Sequence, residues 1–567
     1  MSTNIVQRTT IIIPKSSELQ FHEKVKIDKA YSITLPSTIV PFKRQDRFTI
    51  PIARILKDVS YESHLLKILK DCYSFRLQFS KLEDYDSSIF GDVASPGLSV
   101  NFIPQIADDS AGVYETNFNK TITAINQELK KLLYADINDE SVLFNEFIVT
   151  PTALKYFEPT NEISYSLKKS IEDILEKSIS TDFQYLEISY DSINNSDKFM
   201  VQFYWADVMA SEDLIFTKKQ DYKTEVGIFT IEEKLTNVDN TGLAGVRFVL
   251  DNSDDIVPMK TSFQFTPRHR TLLDISYKNE FIKPIGLHPK YKLSLHNEKS
   301  ETPLQPPLLI QPANLIPEQA DSTEYCDLVN NLDVCKLYLS WNLPKDFFMD
   351  KYQLKDDRMK ETGLNLIGLY GETNLELPNY LIKKWGSEAL FELNISQAHL
   401  PSSSSSSVPT FEIPLHSRYS KPMQNITSFE TKIPYPNLFW ACDLTIPIET
   451  FTSLGAAFIK EHGDETSIIL SKNPYSRIIS NFEQELQVLQ KSPFHHKFLG
   501  FESYFDDNTV FYHIQPQLDI NSDTNNQKLT FDLTIPVADL NDFNNVHIIT
   551  LLVVMFSGFY ILKKLFH

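Results

Sequence analysis

Residues 529–537 read Leu-Thr-Phe-Asp-Leu-Thr-Ile-Pro-Val. Leu529, Phe531, Leu533, Ile535 and Val537 are apolar, with Thr530, Asp532 and Thr534 between them. A period of two sends alternate side chains to opposite faces, so this stretch predicts a strand with one buried face and one wet face. Upstream, Leu337, Leu339 and Trp341 alternate with Tyr338 and Ser340, and Phe411, Ile413 and Leu415 alternate with Glu412 and its neighbours. Several such strands separated by polar turns predict a β-sandwich-like domain over residues 323–545. Downstream, Val546 to Leu562 reads VHIITLLVVMFSGFYIL, with His547 as its only residue that can carry charge near neutral pH. At 1.5 Å per residue this run covers about 25 Å, the lower limit for crossing hydrocarbon. It is apolar all round, whereas a core helix keeps a polar face. The expectation is one transmembrane helix over 546–562, a short tail over 563–567, and a domain held close to the bilayer.

Lys563 and Lys564 follow the apolar run, and only Lys528 competes within about 20 residues upstream. That bias puts the tail in the cytoplasm and the body on the lumenal or outer side. No secretory signal is expected from the N-terminal residues: Ile11-Ile12-Ile13 is a three-residue run, where a signal core needs ~7–15. A tail-anchored protein with its body in the cytosol is the alternative topology. Four N-x-[ST] sequons stand at Asn119, Asn194, Asn394 and Asn425. Chance gives roughly five in such a composition, so they are glycosylation candidates that do not decide the topology.

The first three hundred residues mix types, and 1–301 is expected to be a mixed α/β region. Phe75-Arg76-Leu77-Gln78-Phe79 and Val201-Gln202-Phe203-Tyr204-Trp205 read as half-buried strands. Ile125, Leu129, Leu132 and Leu133 share one helical face, as do Leu167, Ile171, Ile174 and Leu175. TPLQPPLLIQPANLIP, residues 302–317, holds five prolines and can keep neither a ladder nor a helix; 302–322 is read as a linker. Six consecutive serines, Ser402 to Ser407, predict a loop inside the second domain. The fold class is thus mainly β with some α.

The net charge of −20 has the wrong sign for releasing counterions from nucleic acid, so no nucleic-acid partner is expected. Glycine is scarce, 15 of 567 residues, and no phosphate-cradling glycine loop exists. There is no H-E-x-x-H and no G-x-S-x-G. His495-His496 lacks ligand spacing, and Asp254-Asp255 reads as a solvated turn in a chain with 74 acids. No catalytic residue, metal or cofactor is expected. Of the four cysteines, Cys72, Cys326, Cys335 and Cys442, the pair Cys326 and Cys335 is close enough in sequence to close a small loop in an oxidising compartment. Four free thiols is the other reading.

The most specific pattern is Pro414-Leu415-His416-Ser417-Arg418-Tyr419-Ser420-Lys421-Pro422, followed by Ile433-Pro434-Tyr435-Pro436-Asn437-Leu438-Phe439-Trp440-Ala441-Cys442. It resembles the PIG-X family. The preceding segments, Leu343-Pro344, Asp350 to Leu354, Gly371, Leu375 to Pro378 and Trp385-Gly386-Ser387, resemble the fungal members, the protease B non-derepressible proteins. The resemblance covers about 330–567; residues 1–300 share only the layout. It implies a non-catalytic subunit of glycosylphosphatidylinositol (GPI) mannosyltransferase I in the endoplasmic reticulum membrane. The implied partner is a multi-span catalytic enzyme of the PIG-M family, which moves the first mannose from dolichol-phosphate-mannose to the GPI precursor. It also implies a lumenal glycoprotein without a cleaved signal, linked to maturation of a vacuolar protease. The motif residues His416, Arg418, Tyr419, Pro422, Phe439, Trp440 and Cys442 are expected to be structural or to face the partner. For Arg418 the readings are an ion pair with a buried carboxylate, an enzyme contact, or a lipid phosphate. A lumenal chaperone-like factor and a tail-anchored cytosolic adaptor are the alternative functions.

Overall fold

The computed structural model describes residues 5–566 apart from 16–24, 29–31, 36–41, 58–62, 84–93, 106–113, 135–145, 193–197, 209–212, 220–221, 232–240, 252–255, 257, 266, 284, 298–334, 399–407, 444–498, 507 and 518–527. The Pro-rich stretch, the serine run, Cys326, Asn194, Asp254-Asp255 and His495-His496 lie outside the described residues. The described chain is mainly β, with one apolar helix at its C-terminal end.

Among the described residues eleven strands form a first sheet. Its middle runs through Ile5–Ile12, Phe42–Pro51, Lys198–Val208, Tyr185–Asp191 and Cys72–Ser80. The pairings are antiparallel except that of Ile5–Ile12 with Tyr222–Ile231. The helices His64–Lys70, Tyr114–Tyr134 and Tyr165–Leu175 cover one face. Ile125, Leu129, Leu132, Leu167, Ile171 and Leu175 bury there against Phe75, Leu77, Phe79, Ile188 and Val201. Ser164 caps the last of these helices, its hydroxyl accepting the Leu167 N–H at 3.0 Å.

Eight strands form the second sheet, in the order Leu364–Gly371, Gly386–Leu393, Cys335–Pro344, Asn437–Asp443, Thr509–Pro516, His269–Ile282, Lys290–Asn297, Thr410–Pro414. Two of them, His269–Ile282 and Lys290–Asn297, precede the Pro-rich stretch. The division between sheets therefore falls before residue 269, not at the expected boundary of 301. Thr509–Pro516 joins two blocks: it runs antiparallel to Asn437–Asp443 and parallel to His269–Ile282. A two-stranded ribbon, Ser428–Pro434 with Thr530–Pro536, covers one face and buries Ile433, Leu533 and Ile535 against Trp341, Trp440 and Tyr512. Along the opening stretch, Leu533 and Ile535 are buried while Asp532 and Thr534 are exposed, so the alternation holds there; at its start Thr530 is buried and Phe531 only half-buried. Gly386 is required by close approach: a Cβ there would lie 2.0 Å from the Leu343 carbonyl oxygen.

The strand Cys72–Ser80 corrects its half-buried reading. Arg76 and Gln78, on the expected wet face, are buried. The second sheet and the 499–505 segment lie over that face. Arg76 donates to Glu187 at 3.3 Å, to Glu502 at 3.1 Å and to the Leu499 carbonyl at 3.0 Å. Further ties between the sheets are Lys155–Glu388 at 2.6 Å and the Trp385 indole N–H on the Lys155 carbonyl at 2.8 Å.

The terminal helix runs from Phe543 to Leu565, extending the apolar run by three residues at each end. Its 23 residues rise about 34 Å, enough to cross ~30 Å of hydrocarbon without thinning it. None of it is buried by the rest of the chain. This fits a single-pass membrane protein.

Candidate functional site

The motif residues fall into two places. Phe439, Trp440 and Cys442 lie on the strand Asn437–Asp443, and alternation separates them. Phe439 is fully buried on the face toward the first sheet, among Phe501, Phe511 and Leu390. Its ring centroid lies 4.7 Å from that of Phe501. Trp440 points the other way into the second core with Leu337, Leu438 and Tyr512. Both are core residues.

The cysteine expectation needs correction. Cys335 is bonded to Cys442, not to Cys326. The antiparallel register of their strands puts the two Cα atoms opposite each other, 4.1 Å apart. That register, not proximity in sequence, selects the partner. Cys72 is a buried thiol, and burial raises its pKa.

His416, Arg418, Tyr419 and Pro422 make a corner. The strand Thr410–Pro414 ends at a proline, and His416–Ser417 pairs with Phe347–Phe348. The Arg418 N–H then donates to the Asp346 carbonyl at 2.8 Å, turning the chain. The Arg418 side chain is buried and takes carbonyl partners, not the carboxylate of the ion-pair reading. It donates to the carbonyls of Asn374, Leu377 (2.8 Å) and Glu372 (3.1 Å), closing the 372–377 loop over itself. Its guanidinium carbon lies 4.2 Å from the centroid of the Phe348 ring, a cation–π contact. Burial is the largest influence on its pKa and brings it down to about 10, against the opposing field of Glu372.

His416 stacks on the same Phe348 ring at 5.1 Å, its Nδ1 2.8 Å from His288 Nδ1 and its Nε2 3.1 Å from Gln353 Oε1. Burial and the neighbouring His288 lower its pKa, and Asp350 opposes them. Tyr419 is 67% exposed, and Pro422 is half-buried. The corner thus joins a buried cation, a histidine pair and a projecting tyrosine. The motif gave no sign of Asp346, which organises the corner. Its carboxylate accepts from Asn379 Nδ2 at 2.9 Å and from Thr431 Oγ1 at 2.9 Å.

A second polar cluster lies where the sheets meet, away from the motif. Glu502 accepts from Arg76 and sits 3.4 Å from His269, whose Nδ1 lies 2.9 Å from His513 Nε2. Tyr185 donates a short hydrogen bond to Glu187. Burial would raise the Glu502 carboxyl, but Arg76 and His269 hold it well below the carboxylate range. Burial is the largest influence on both histidines and lowers their pKa values, with Glu502 opposing it at each. No local pattern marks this cluster, because its members come from five separate strands and turns. Among the described residues no group of three or more His, Cys, Asp or Glu could hold a metal ion.

Of the sequons, Asn119 lies within the helix Tyr114–Tyr134. Asn394 is exposed, its Oδ1 accepting from the Ser396 N–H and hydroxyl at 3.0 and 2.7 Å. Asn425 is exposed in a turn at φ 60°, and its Oδ1 accepts from Asn541 Nδ2 at 2.8 Å.

The fold and corner define a β-rich protein carrying one apolar C-terminal helix. A family model described as PIG-X / PBN1 matches residues 284–566, which take in both motif places and that helix. The chain belongs to the PIG-X / PBN1 family, and membership implies involvement in GPI-anchor biosynthesis. The chain is 25% identical to Protein PBN1 of Debaryomyces hansenii over 533 residues, 93% of this chain and 91% of the relative. It is 25% identical to Protein PBN1 of Candida albicans over 542 residues, 94% and 91% of the two chains. With Protein pbn1 of Neurospora crassa it shares 28% identity over 386 residues, 67% of this chain but 60% of that longer relative.

Proposed function

We propose that this protein is a non-catalytic stabilising subunit of GPI mannosyltransferase I in the endoplasmic reticulum membrane. Its partner in this reading is a multi-span PIG-M-like enzyme that transfers the first mannose from dolichol-phosphate-mannose. The observation that carries the proposal is the family match, which spans seven of the second sheet's eight strands, the Arg418 corner and the terminal helix together. A single helix cannot enclose a lipid-linked substrate, because its backbone hydrogen bonds are internal and only its side chains are on offer. It can pack against a partner's helices. A body on the lumenal side is supported by the Cys335–Cys442 bond, since disulfides persist in oxidising compartments. A role in maturing a vacuolar protease follows in this reading from lost GPI assembly or from a second client.

The test is depletion of the protein, followed by the level of the multi-span enzyme and the transfer of mannose to the GPI precursor. Both should fall together. An enzyme that stays abundant and active overturns the subunit reading, and broad folding defects with GPI synthesis intact favour the chaperone-like alternative. Asn394→Gln reports the side: loss of an endoglycosidase-sensitive glycan places the body in the lumen. A body that carries no glycan at any sequon and stays fully reduced favours the cytosolic adaptor.

A further inference from the structure

We propose that the turn Tyr419–Ile426, together with Leu540, is a lipid-contact surface that rests in the headgroup layer of the leaflet where the terminal helix begins. The proposal depends on that helix spanning a membrane, and not on the mannosyltransferase reading.

Position is the first argument. The Leu540 N–H donates to the Met423 carbonyl at 3.0 Å, and the Met423 N–H donates to the Ala538 carbonyl at 3.3 Å. Met423 and Asp539 form a bridge, and Asn425 N–H donates to Asp539 Oδ1 at 3.2 Å. Backbones paired in this way lie about 5 Å apart. Leu540–Asp542 is a 3₁₀ turn leading directly into the helix at Phe543. At about 2 Å per residue Leu540 stands some 6 Å above Phe543, and at 1.5 Å per residue about 10 Å above Val546, where the apolar run begins. The interfacial layer of a bilayer is about 5–8 Å deep on each side. The turn is therefore tied to a point at the outer edge of that layer, within reach of the headgroups.

Chemistry is the second argument. Tyr419, Met423, Ile426, Leu540 and Phe543 are between 37% and 67% exposed, in a molecule that buries most of its large apolar side chains. Phe543 at this height matches the aromatic belt of membrane proteins, and exposed Tyr419, four residues before Met423, adds an amphipathic ring to the same turn. Lys421, exposed between Tyr419 and Met423, can lay its stem on the apolar surface and send its ammonium to lipid phosphate. Of the acids nearby, Asp539 accepts the Asn425 and Asn541 N–H groups, and Asp542 sits at the positive end of the helix.

The test uses the purified full-length chain in vesicles of phosphatidylcholine and phosphatidylinositol, with no other protein. Nitroxides are placed at Tyr419→Cys, Met423→Cys and Ile426→Cys in a Cys326→Ser background, with Tyr165→Cys on the first sheet's helix as the aqueous control. Oxygen concentrates in lipid and a nickel chelate in water. The oxygen-to-nickel collision ratio is expected to be several-fold higher at the three turn positions than at Tyr165→Cys. A ratio equal to the control overturns the proposal. So does shielding from both reagents that appears only when the vesicles also carry a co-purified multi-span protein, because the occupant is then protein.

Discussion

Arg418 shows how one side chain can hold a corner without a counter-ion. Three carbonyls of the 372–377 loop converge on its guanidinium, and Phe348 lies against it. Removing it frees carbonyls of half-buried Glu372 and Leu377 and exposed Asn374, which water can partly satisfy, so each lost bond is worth about 0.5–1.5 kcal/mol. Arg418→Leu should therefore cost about 2–3 kcal/mol of unfolding free energy, read as a lower denaturant midpoint of the full-length chain. Arg418→Lys should not recover it, since a point charge cannot reproduce the fork. An unchanged midpoint in Arg418→Leu would reassign the residue from the corner to a partner. The motif made this position legible as important, but not what it touches. Glu372, Asn374 and Leu377 contribute main-chain oxygens, which no side-chain pattern encodes.

Among the elements, the paired strands Cys335–Pro344 and Asn437–Asp443 carry the disulfide. Its cysteines are 107 residues apart in sequence. Crosslinking a loop of that length removes unfolded-state entropy worth roughly 4–5 kcal/mol in the chain-entropy account, with less commonly realised. Cys442→Ser should lower the melting temperature by several degrees, and reductant should lower that of the unaltered chain but not of the variant. Equal sensitivity to reductant in both would mean that another bond matters. Period-two alternation located these strands, and continuous apolarity located the terminal helix. Alternation could not say which strands are neighbours, so the short Cys326–Cys335 loop looked more available than the real pair. It also could not say what covers a polar face. Arg76 and Gln78 have the pattern of solvated positions, yet they are buried, because another sheet lies there in place of water.

Across the whole molecule, the two sheets are joined through buried charge. Arg76 and Glu502 are 426 residues apart, beyond the reach of any local reading. Their pH dependence has a definite sign. Glu502 is held below the carboxylate range, so its contribution is present above about pH 4.3 and is lost as pH falls toward its folded value. His269 and His513 are lowered by burial, so the unfolded chain binds their protons first, and stability falls as pH drops below about 6.5. Both effects act in one direction. Denaturant midpoints should decline from pH 7 to pH 4, and His513→Phe should flatten the upper part of that slope. Glu502→Ala leaves Arg76 short of one of its two carboxylates in a buried site and should cost about 3–5 kcal/mol at neutral pH. A pH-independent midpoint would show that the junction is wetter than its burial indicates.

The strand Thr509–Pro516 has a consequence for manufacture. It sits between the block ending in Asn437–Asp443 and the block beginning with His269–Ile282, and it is translated after both. Until the ribosome has released it, two half-built sheets wait with bare edges, and such edges recruit wrong partners. A stop codon shortly before residue 509 should therefore do more harm than the missing length suggests: it would leave two unjoined fragments for quality control to clear.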